Sequence, residues 1–310
     1  MTRVSLTGGT GFIGAALIDQ LVAEGFQVRA LARDKARVKR GGEIEIVEGD
    51  LENSAALASL ADGAEIFIHL AGETHARTEQ DFTRINVAGA ERAATAAAKA
   101  GARFLHASSL SARAPETSPY ARSKLESEGA IARAAPDGRW ITLRLPAIYG
   151  PGDLVTLPYF KMLKSGFAFE PATESPARAS LLFVEDAASA FIWAMTKGEA
   201  GNVYEVEDDA PAGRSWSEIG KVLSSIYGND AMAIRIPKPA IALIHEGMRA
   251  ADTIFGRTPS IRQGQVNELF HPDWVARDNL FGGSTGWRAA TGLKEGFAKT
   301  VRWYQEQGLI

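Results

Sequence analysis

The chain has 310 residues, 45% of them hydrophobic and 23% charged, a composition that can fill a packed core and excludes disordered and collagen-like classes. A formal net charge of −3 offers no basic surface for nucleic acid. With no cysteine there are neither disulfides nor thiolate nucleophiles, and no apolar run approaches the roughly 20 residues of a membrane span.

Met1–Leu6 enters a strand directly, which leaves no room for a leader and makes a cytoplasmic protein the expectation. Arg3–Thr7 is that strand. Phe12, Ile13, Ala16, Leu17, Leu21 and Val22 then recur at helical spacing until Gly25. Strands follow over Gln27–Arg33 and Glu43–Glu48. Ser54 caps a short helix to Ala61, and Glu65–Ala71 is a fourth, nearly all-apolar strand. Alanine-rich Glu79–Ala100 predicts one long helix closed by Gly101. Phe104–Ala107 is a fifth strand, Tyr120–Ala134 a helix and Trp140–Leu145 a sixth strand. Strands alternating with helices require crossovers, hence a parallel sheet covered on both faces in a doubly wound, Rossmann-type α/β fold. Beyond Gly150, prolines punctuate shorter elements: strands at Ser180–Val184 and Asn202–Val206, helices at Glu185–Lys197, Ser215–Tyr227, Pro239–Phe255 and Lys294–Gln307. The expected organisation is a dinucleotide-binding domain over residues 1–150, interleaved with segments near 178–206, and a smaller C-terminal substrate-binding lobe over 151–310.

The first strand runs into Thr7-Gly8-Gly9-Thr10-Gly11-Phe12-Ile13-Gly14 and then a helix. Gly8, Gly11 and Gly14 permit a tight turn, close backbone approach to a pyrophosphate and close helix packing, and the helix N-terminus favours the phosphate charge. NAD enzymes usually end the second strand in a ribose-binding acid. Here Arg33 stands there, with Asp34 facing away, and a guanidinium forks onto phosphate, so NADP is expected ahead of NAD. Arg37, Lys39 and Arg40 could add positive potential. Tyr120 and Lys124, four apart, share one helix face. An ammonium about 4 Å away stabilises a phenolate by roughly 4 kcal/mol at an effective dielectric of 20, which predicts a phenol brought down into the range of a general acid or base. Of the five histidines, His69 and His106 sit inside strands as buried, hydrogen-bonded rings. None of the five has metal-ligand spacing, so no metal is expected. A Ser-His-Asp hydrolase is disfavoured.

These motifs occur in order with Gly49-Asp50-Leu51, His69-Leu70-Ala71-Gly72, Asn86-Val87, Ser108-Ser109, Arg144-Leu145-Pro146-Ala147-Ile148-Tyr149-Gly150-Pro151-Gly152, Phe183-Val184-Glu185-Asp186 and Gly286-Trp287. From Arg3 to about Tyr304 the chain resembles the extended short-chain dehydrogenase/reductases, the NAD(P)-dependent epimerase/dehydratase family. The resemblance implies a catalytic group of Ser109, Tyr120 and Lys124, with Ser108 the alternative serine. It implies a dinucleotide held by Gly8, Thr10, Gly11, Phe12, Ile13, Gly14, Arg33, Asp50, Leu51, Ala71, Gly72, Ser108, Tyr120, Lys124, Pro146 and Ile148. Asp50 would approach the adenine, although it also suits a turn cap. Asn86, Arg144 and Asp186 would stabilise the fold.

Leu110 and Ser111 stand where sugar-nucleotide dehydratases carry an Asp-Glu pair, which disfavours water elimination. Only eleven positions separate Ser109 from Tyr120, where many sugar-nucleotide epimerases have a longer insert. Leu154–Phe169 and Leu181–Phe183 are rich in Leu, Phe and Tyr, with Arg178 as an anion contact. As a pocket lining they suit a small or lipophilic carbonyl compound, and they equally suit the core of the lobe. The expected activity is hydride transfer between NADPH and a carbonyl or alcohol substrate, by a protein that could form a homodimer. A sugar-nucleotide epimerase with retained NAD(P), and a non-catalytic NADPH-binding subunit or regulator, are the alternatives.

Overall fold

The computed structural model describes residues 1–34, 44–76, 78–243 and 264–310. Its first half runs β1 (Arg3–Thr7), α1 (Phe12–Ala23), β2 (Gln27–Ala32), β3 (Glu45–Glu48), α2 (Ser54–Ala61), β4 (Ile66–His69), α3 (Glu79–Phe82), α4 (Ala88–Ala100), β5 (Arg103–Ser109), α5 (Pro119–Ala134) and β6 (Trp140–Leu145). There follow β7 (Ala147–Tyr149), α6 (Leu157–Lys164), β8 (Phe167–Pro171), β9 (Arg178–Ala179), β10 (Leu181–Phe183), α7 (Val184–Lys197), β11 (Asn202–Glu205), β12 (Arg214–Ser215), α8 (Trp216–Tyr227), β13 (Met232–Ile236) and β14 (Asp273–Trp274). Seven strands form one parallel sheet in the order β11-β6-β5-β4-β1-β2-β3. The order reverses between β1 and β4, and a doubly wound sheet binds its ligand in the crevice at that point, beyond the carboxyl ends of the strands.

Helices cover both faces, and the strand side chains buried beneath them are mostly apolar. Val4, Leu6, Val28, Leu105 and Leu143 pack against α1 and α7. Phe67 and Phe104 pack against α2 and the alanine face of α4, where Ala90, Ala93, Ala94 and Ala97 let the helix lie close to the sheet. One row on this second face is polar. Thr7, His69, His106 and Thr142 are register neighbours across four strands, and all are buried. Thr7 Oγ1 lies 2.7 Å from His69 Nδ1, His106 Nε2 lies 3.1 Å from Ser127 Oγ, and the two imidazoles stack at 5.6 Å. Burial keeps both rings neutral, pushing His69 down to about 3.

The long helix expected over Glu79–Ala100 is present from end to end, closed by Gly101, but its pitch changes within it. Between α3 and α4, Thr83–Val87 forms a π-helical turn. The strand expected over Ser180–Val184 is β10, shortened to Leu181–Phe183: Ser180 separates it from β9, and Val184 already starts α7. The third strand begins at Glu45, and Glu43 lies outside the described residues. So do Arg37, Lys39, Arg40 and the helix expected to Phe255 beyond residue 243.

A second core joins α6, α8 and the helix Leu293–Glu306 through Phe160, Leu163, Ile219, Leu223, Phe297, Val301 and Tyr304. Ser215 and Glu218 cap α8 reciprocally. This core corrects the pocket expected from Leu154–Phe169 and Leu181–Phe183. Phe160, Leu163 and Phe183 fill the lobe interior, Leu182 packs under the main sheet, and Leu154 and Val155 are exposed. Arg178 is no anion contact either: it donates to the carbonyls of Ala212 and Gly213, both at 2.8 Å, and pairs with Glu218 at 3.0 Å. Among the described residues, no helix is long and apolar enough to cross a membrane.

Candidate active site

The glycine loop lies at the reversal point. Gly8 has φ +77°, and a Cβ there would stand 2.6 Å from the backbone nitrogen of Ala71 at the end of β4. A Cβ on Gly14 would stand 2.1 Å from the Gly8 carbonyl oxygen. Gly11 differs: its N–H donates to that carbonyl at 2.9 Å, and an added Cβ would meet only the same oxygen, at 3.1 Å. Space above Gly11 is therefore open, over the N-terminus of α1, whose first turn holds no acid and whose cap uses no side chain. The cradle fits a dinucleotide diphosphate. The loop after β7 approaches it, since a Cβ on Gly152 would stand 3.5 Å from the Phe12 ring.

Arg33 is exposed just past the carboxyl end of β2. Asp50 Oδ1 accepts the N–H groups of Glu52 at 2.9 Å and Asn53 at 3.1 Å, a turn cap. Leu51 packs on α4, where Gly89 has no space for a side chain. Gly72 follows β4, and a Cβ on it would stand 3.1 Å from Asn86 Oδ1 and 3.5 Å from Lys124 Nζ. Asn86 is buried on the π-helical turn. Its Oδ1 accepts Glu73 N at 2.8 Å, and its Nδ2 donates to the Glu73 carbonyl at 3.0 Å and to Ser123 Oγ at 2.9 Å, which ties the loop after β4 to α5. Pro146 is buried after β6 and Ile148 half-buried on β7.

Ser118 caps α5 and Pro119 occupies its first turn, a start signal with a mechanism. Tyr120 follows, half-buried, its ring 6.2 Å from that of Phe82. Ser109 stands beside its hydroxyl and favours the ionised phenol. Ser109 Oγ also lies 3.0 Å from Ser111 Oγ. Lys124 is buried one turn on, its Nζ 5.9 Å from the Tyr120 ring centroid and donating to the Ala107 carbonyl at 2.9 Å. Burial lowers Lys124 to about 8, opposed by the charge of Glu128. Burial raises Tyr120 to about 12, opposed by Ser109 and assisted by the charge of Glu268. The phenol is thus not brought down as expected: Lys124 is engaged with a carbonyl, and desolvation outweighs it.

Ser108 points elsewhere. Its hydroxyl donates to Glu128 Oε1 at 2.6 Å, and Arg144 forks onto the same carboxylate at 2.9 and 2.8 Å. Arg144 also approaches Glu205 at 3.8 Å, and Arg113, from the turn after Ser109, reaches Glu205 at 3.3 Å. Asp186 accepts the N–H groups of Ala290 and Thr291, both at 3.0 Å, a fold-stabilising role. Two acids near the site were not singled out from the sequence. Glu128 carried a signal, lying one turn beyond Lys124 on the same helix face. Glu268 carried none.

A cavity of about 410 Å³ lined by Glu207, Asp208 and Trp287 includes none of the expected site residues. Its acids are engaged, Glu207 by Gly282 N and Asp208 by Leu181 N and Arg214. Among the described residues no cluster of His, Asp and Glu could hold a metal ion.

A glycine cradle at the switch point of a parallel sheet, with a tyrosine and a lysine on the same edge, defines a dinucleotide-dependent Rossmann-fold enzyme. Residues 4–206 match the NAD dependent epimerase/dehydratase family, and the chain belongs to it. It is 38% identical to ceramide reductase of Caulobacter vibrioides over 99% of this chain and 96% of that protein. It is 26% identical to a 3 beta-hydroxysteroid dehydrogenase/Delta 5-->4-isomerase of Mycobacterium tuberculosis, over 82% of this chain and 77% of that one. The dTDP-glucose 4,6-dehydratase DesIV of Streptomyces venezuelae, solved with NAD and TYD bound, superposes with a TM-score of 0.74 at 22% identity, covering 98% and 97% of the two chains. The chain is an NAD(P)-dependent enzyme of the oxidoreductase type.

Proposed function

We propose that the chain reduces a ketone on a lipophilic molecule, with NADPH as the reductant and Tyr120 as the proton donor. The observation that carries this reading is the Ser109–Tyr120 hydroxyl pair beside buried Lys124, with the phenol held protonated at about 12. A phenol that keeps its proton is suited to giving it to a developing alkoxide, the reductive direction. The loop Gly8–Gly14 would hold the diphosphate, Arg33 the 2′-phosphate and Lys124 the ribose hydroxyls. Reduced nicotinamide, when bound, supplies the hydride. Tyr120 then transfers its proton to the substrate oxygen while Ser109 holds that oxygen in place, so ketone, hydride and proton together give a secondary alcohol. Leu110 and Ser111 offer no acid–base pair for elimination. The 38% identity to a ceramide reductase supports a long-chain lipid amide as the substrate class. An amide carbonyl resists hydride attack, so the reducible group would be a ketone elsewhere on the chain.

NADPH oxidation by the purified protein, with a long-chain amido-ketone and with short ketones, tests the reading. Turnover that favours the long chain is the expected result. A tightly retained dinucleotide that interconverts nucleotide sugars without net NADPH oxidation would overturn it. For the cofactor, calorimetry should give tighter binding of NADPH than NADH, and Arg33→Ala should erase the difference. Equal affinities in the parent protein would remove Arg33 from its role.

A further inference from the structure

Ser109 meets Ser111 twice. It caps the 3₁₀ turn Leu110–Arg113, its Oγ accepting Ser111 N at 3.2 Å, and Ser111 Oγ stands 3.0 Å from the same atom. Ser111 Oγ has no other hydrogen-bond partner among the described residues. The turn is pinned at its far end, where Arg113 donates to the carbonyls of Val275 at 2.9 Å and Asp273 at 3.1 Å and pairs with buried Glu205. Leu110 and Ala112 are buried between these anchors. The backbone thus keeps Ser111 beside Ser109.

A hydroxyl has one proton and two lone pairs. Ser111 N–H takes one lone pair of Ser109 Oγ, which leaves one lone pair and the proton. These divide between Ser111 Oγ on one side and the Tyr120 hydroxyl on the other. If Ser109 gave its proton to Ser111, only a lone pair would face the phenol and the reacting oxygen. If Ser111 gives its proton to Ser109, both lone pairs are filled and the Ser109 proton can only point toward them. The phenol feels the second arrangement, since Ser109 favours its ionised form. The other groups at the phenol do not set this direction: Lys124 donates to Ala107, the Glu268 charge disfavours ionisation, and Phe82 is apolar.

We propose that Ser111 is a positioning residue of the reaction: by donating to Ser109 it fixes the Ser109 hydroxyl as a donor aimed at the substrate oxygen. This rests on the ketone-reductase reading above and names the residue that sets one of its hydrogen bonds. In this role Ser111 touches no reacting atom. Its effect passes wholly through Ser109, which separates it from a residue that only shapes the turn. Removing its hydroxyl frees Ser109 to turn a lone pair to the neutral phenol. Tyr120 then loses its proton at a higher pH, and the basic limb of the reduction profile moves up.

The experiment is a double-mutant cycle of Ser111→Ala and Ser109→Ala, with Ser111→Thr as the variant that restores the hydroxyl. Two quantities are read with the long-chain amido-ketone: NADPH turnover against pH, and affinity by calorimetry on the NADP-loaded protein, where no hydride is available. Loss of one hydrogen bond should lower turnover and affinity by about three- to tenfold in Ser111→Ala and raise the basic limb by about half to one pH unit. Ser111→Thr should recover the turnover, the affinity and the position of the limb. In the Ser109→Ala background, Ser111→Ala should change turnover and affinity by less than about twofold. Equal losses in the two backgrounds, or a loss in Ser111→Ala with an unmoved basic limb, overturn the assignment. Ketone binding that shows the cycle without NADPH oxidation would sustain Ser111 and sink the reductase reading instead. A parent protein that neither binds nor reduces the ketone overturns both.

Discussion

Glu128→Gln tests how the floor of the active site is held. The Glu128 carboxylate receives Ser108 Oγ at 2.6 Å, Arg144 Nε at 2.9 Å and Arg144 Nη2 at 2.8 Å, and the two charged side chains are only 7% and 18% exposed. Glutamine has one oxygen for these three donors, and its amide hydrogens must face a guanidinium. Arg144 would then depend on Glu205, 3.8 Å away. Removing one partner of a buried ion pair costs about 3–5 kcal/mol, and the neighbouring Glu205 places this case near ~3 kcal/mol. An unfolding entropy of about 2.1 cal/mol/K per residue gives a 310-residue chain about 0.65 kcal/mol/K, so Tm should fall by about 5 °C. The assay is thermal unfolding followed by circular dichroism, in parallel with the double variant Glu128→Leu with Arg144→Met. Replacing both charges by apolar groups should recover most of the loss. The variant also removes the charge that supports the Lys124 ammonium, so NADPH affinity should begin to fall at a lower pH than in the parent. A Tm unchanged within about 1 °C would refute the reasoning, because the pair would then contribute less than ~1 kcal/mol.

Tyr120→Phe keeps the ring contact with Phe82 and removes only the hydroxyl; turnover should fall about 10²–10⁴-fold with little change in NADPH affinity, and wild-type turnover would remove Tyr120 from the chemistry. Gly11→Val should abolish dinucleotide binding with native circular dichroism retained, because the added methyls enter the open space above the loop rather than the protein; unchanged binding would show that the loop holds no cofactor. Lys124, lowered from 10.5 to about 8, is bound to a proton more readily in the unfolded chain, so stability should rise as pH increases from about 8 to 10.5, while NADPH binding weakens above 8; denaturant melts and calorimetry across that range check the two opposite signs. His69, lowered to about 3, makes stability fall as pH drops from about 6.5 toward 3, and flat denaturation midpoints over that window would contradict a buried neutral ring.

The sheet was legible because its strands are buried on both faces and read as short apolar runs between amphipathic helices. Gly8, Gly11 and Gly14 were legible because a strand, a loop and a helix surround them in the order a diphosphate requires. Three features were hidden for different reasons. The π-helical turn depends on Asn86 reaching Glu73 and Ser123, and no local propensity announces those long-range hydrogen bonds. β8 and β13 pair in parallel with much of the lobe between them, and β13 is too exposed to carry an apolar alternation. The Tyr120–Lys124 spacing showed that the ammonium is near but not that Ala107 engages it or that burial governs the phenol. Hydrophobicity marked Phe160, Leu163 and Phe183 as inward-facing, without distinguishing the wall of a pocket from the interior of a lobe.

The π-helical turn at Thr83–Val87 sets a rule for how this stretch of chain can vary. An α-helix turns by about 100° per residue, so the extra residue in one turn changes the angular phase between α3 and α4. Deleting any one of the five would restore a regular helix and swing Asn86 away from Glu73 and Ser123, carrying the Phe82 side of the Tyr120 contact with it. Substitutions at the exposed Arg84 leave that phase alone. Across descendants of this chain, the segment should accept changed letters while refusing a changed count, so an alignment gap within it would mark a protein whose tyrosine no longer has the same neighbour.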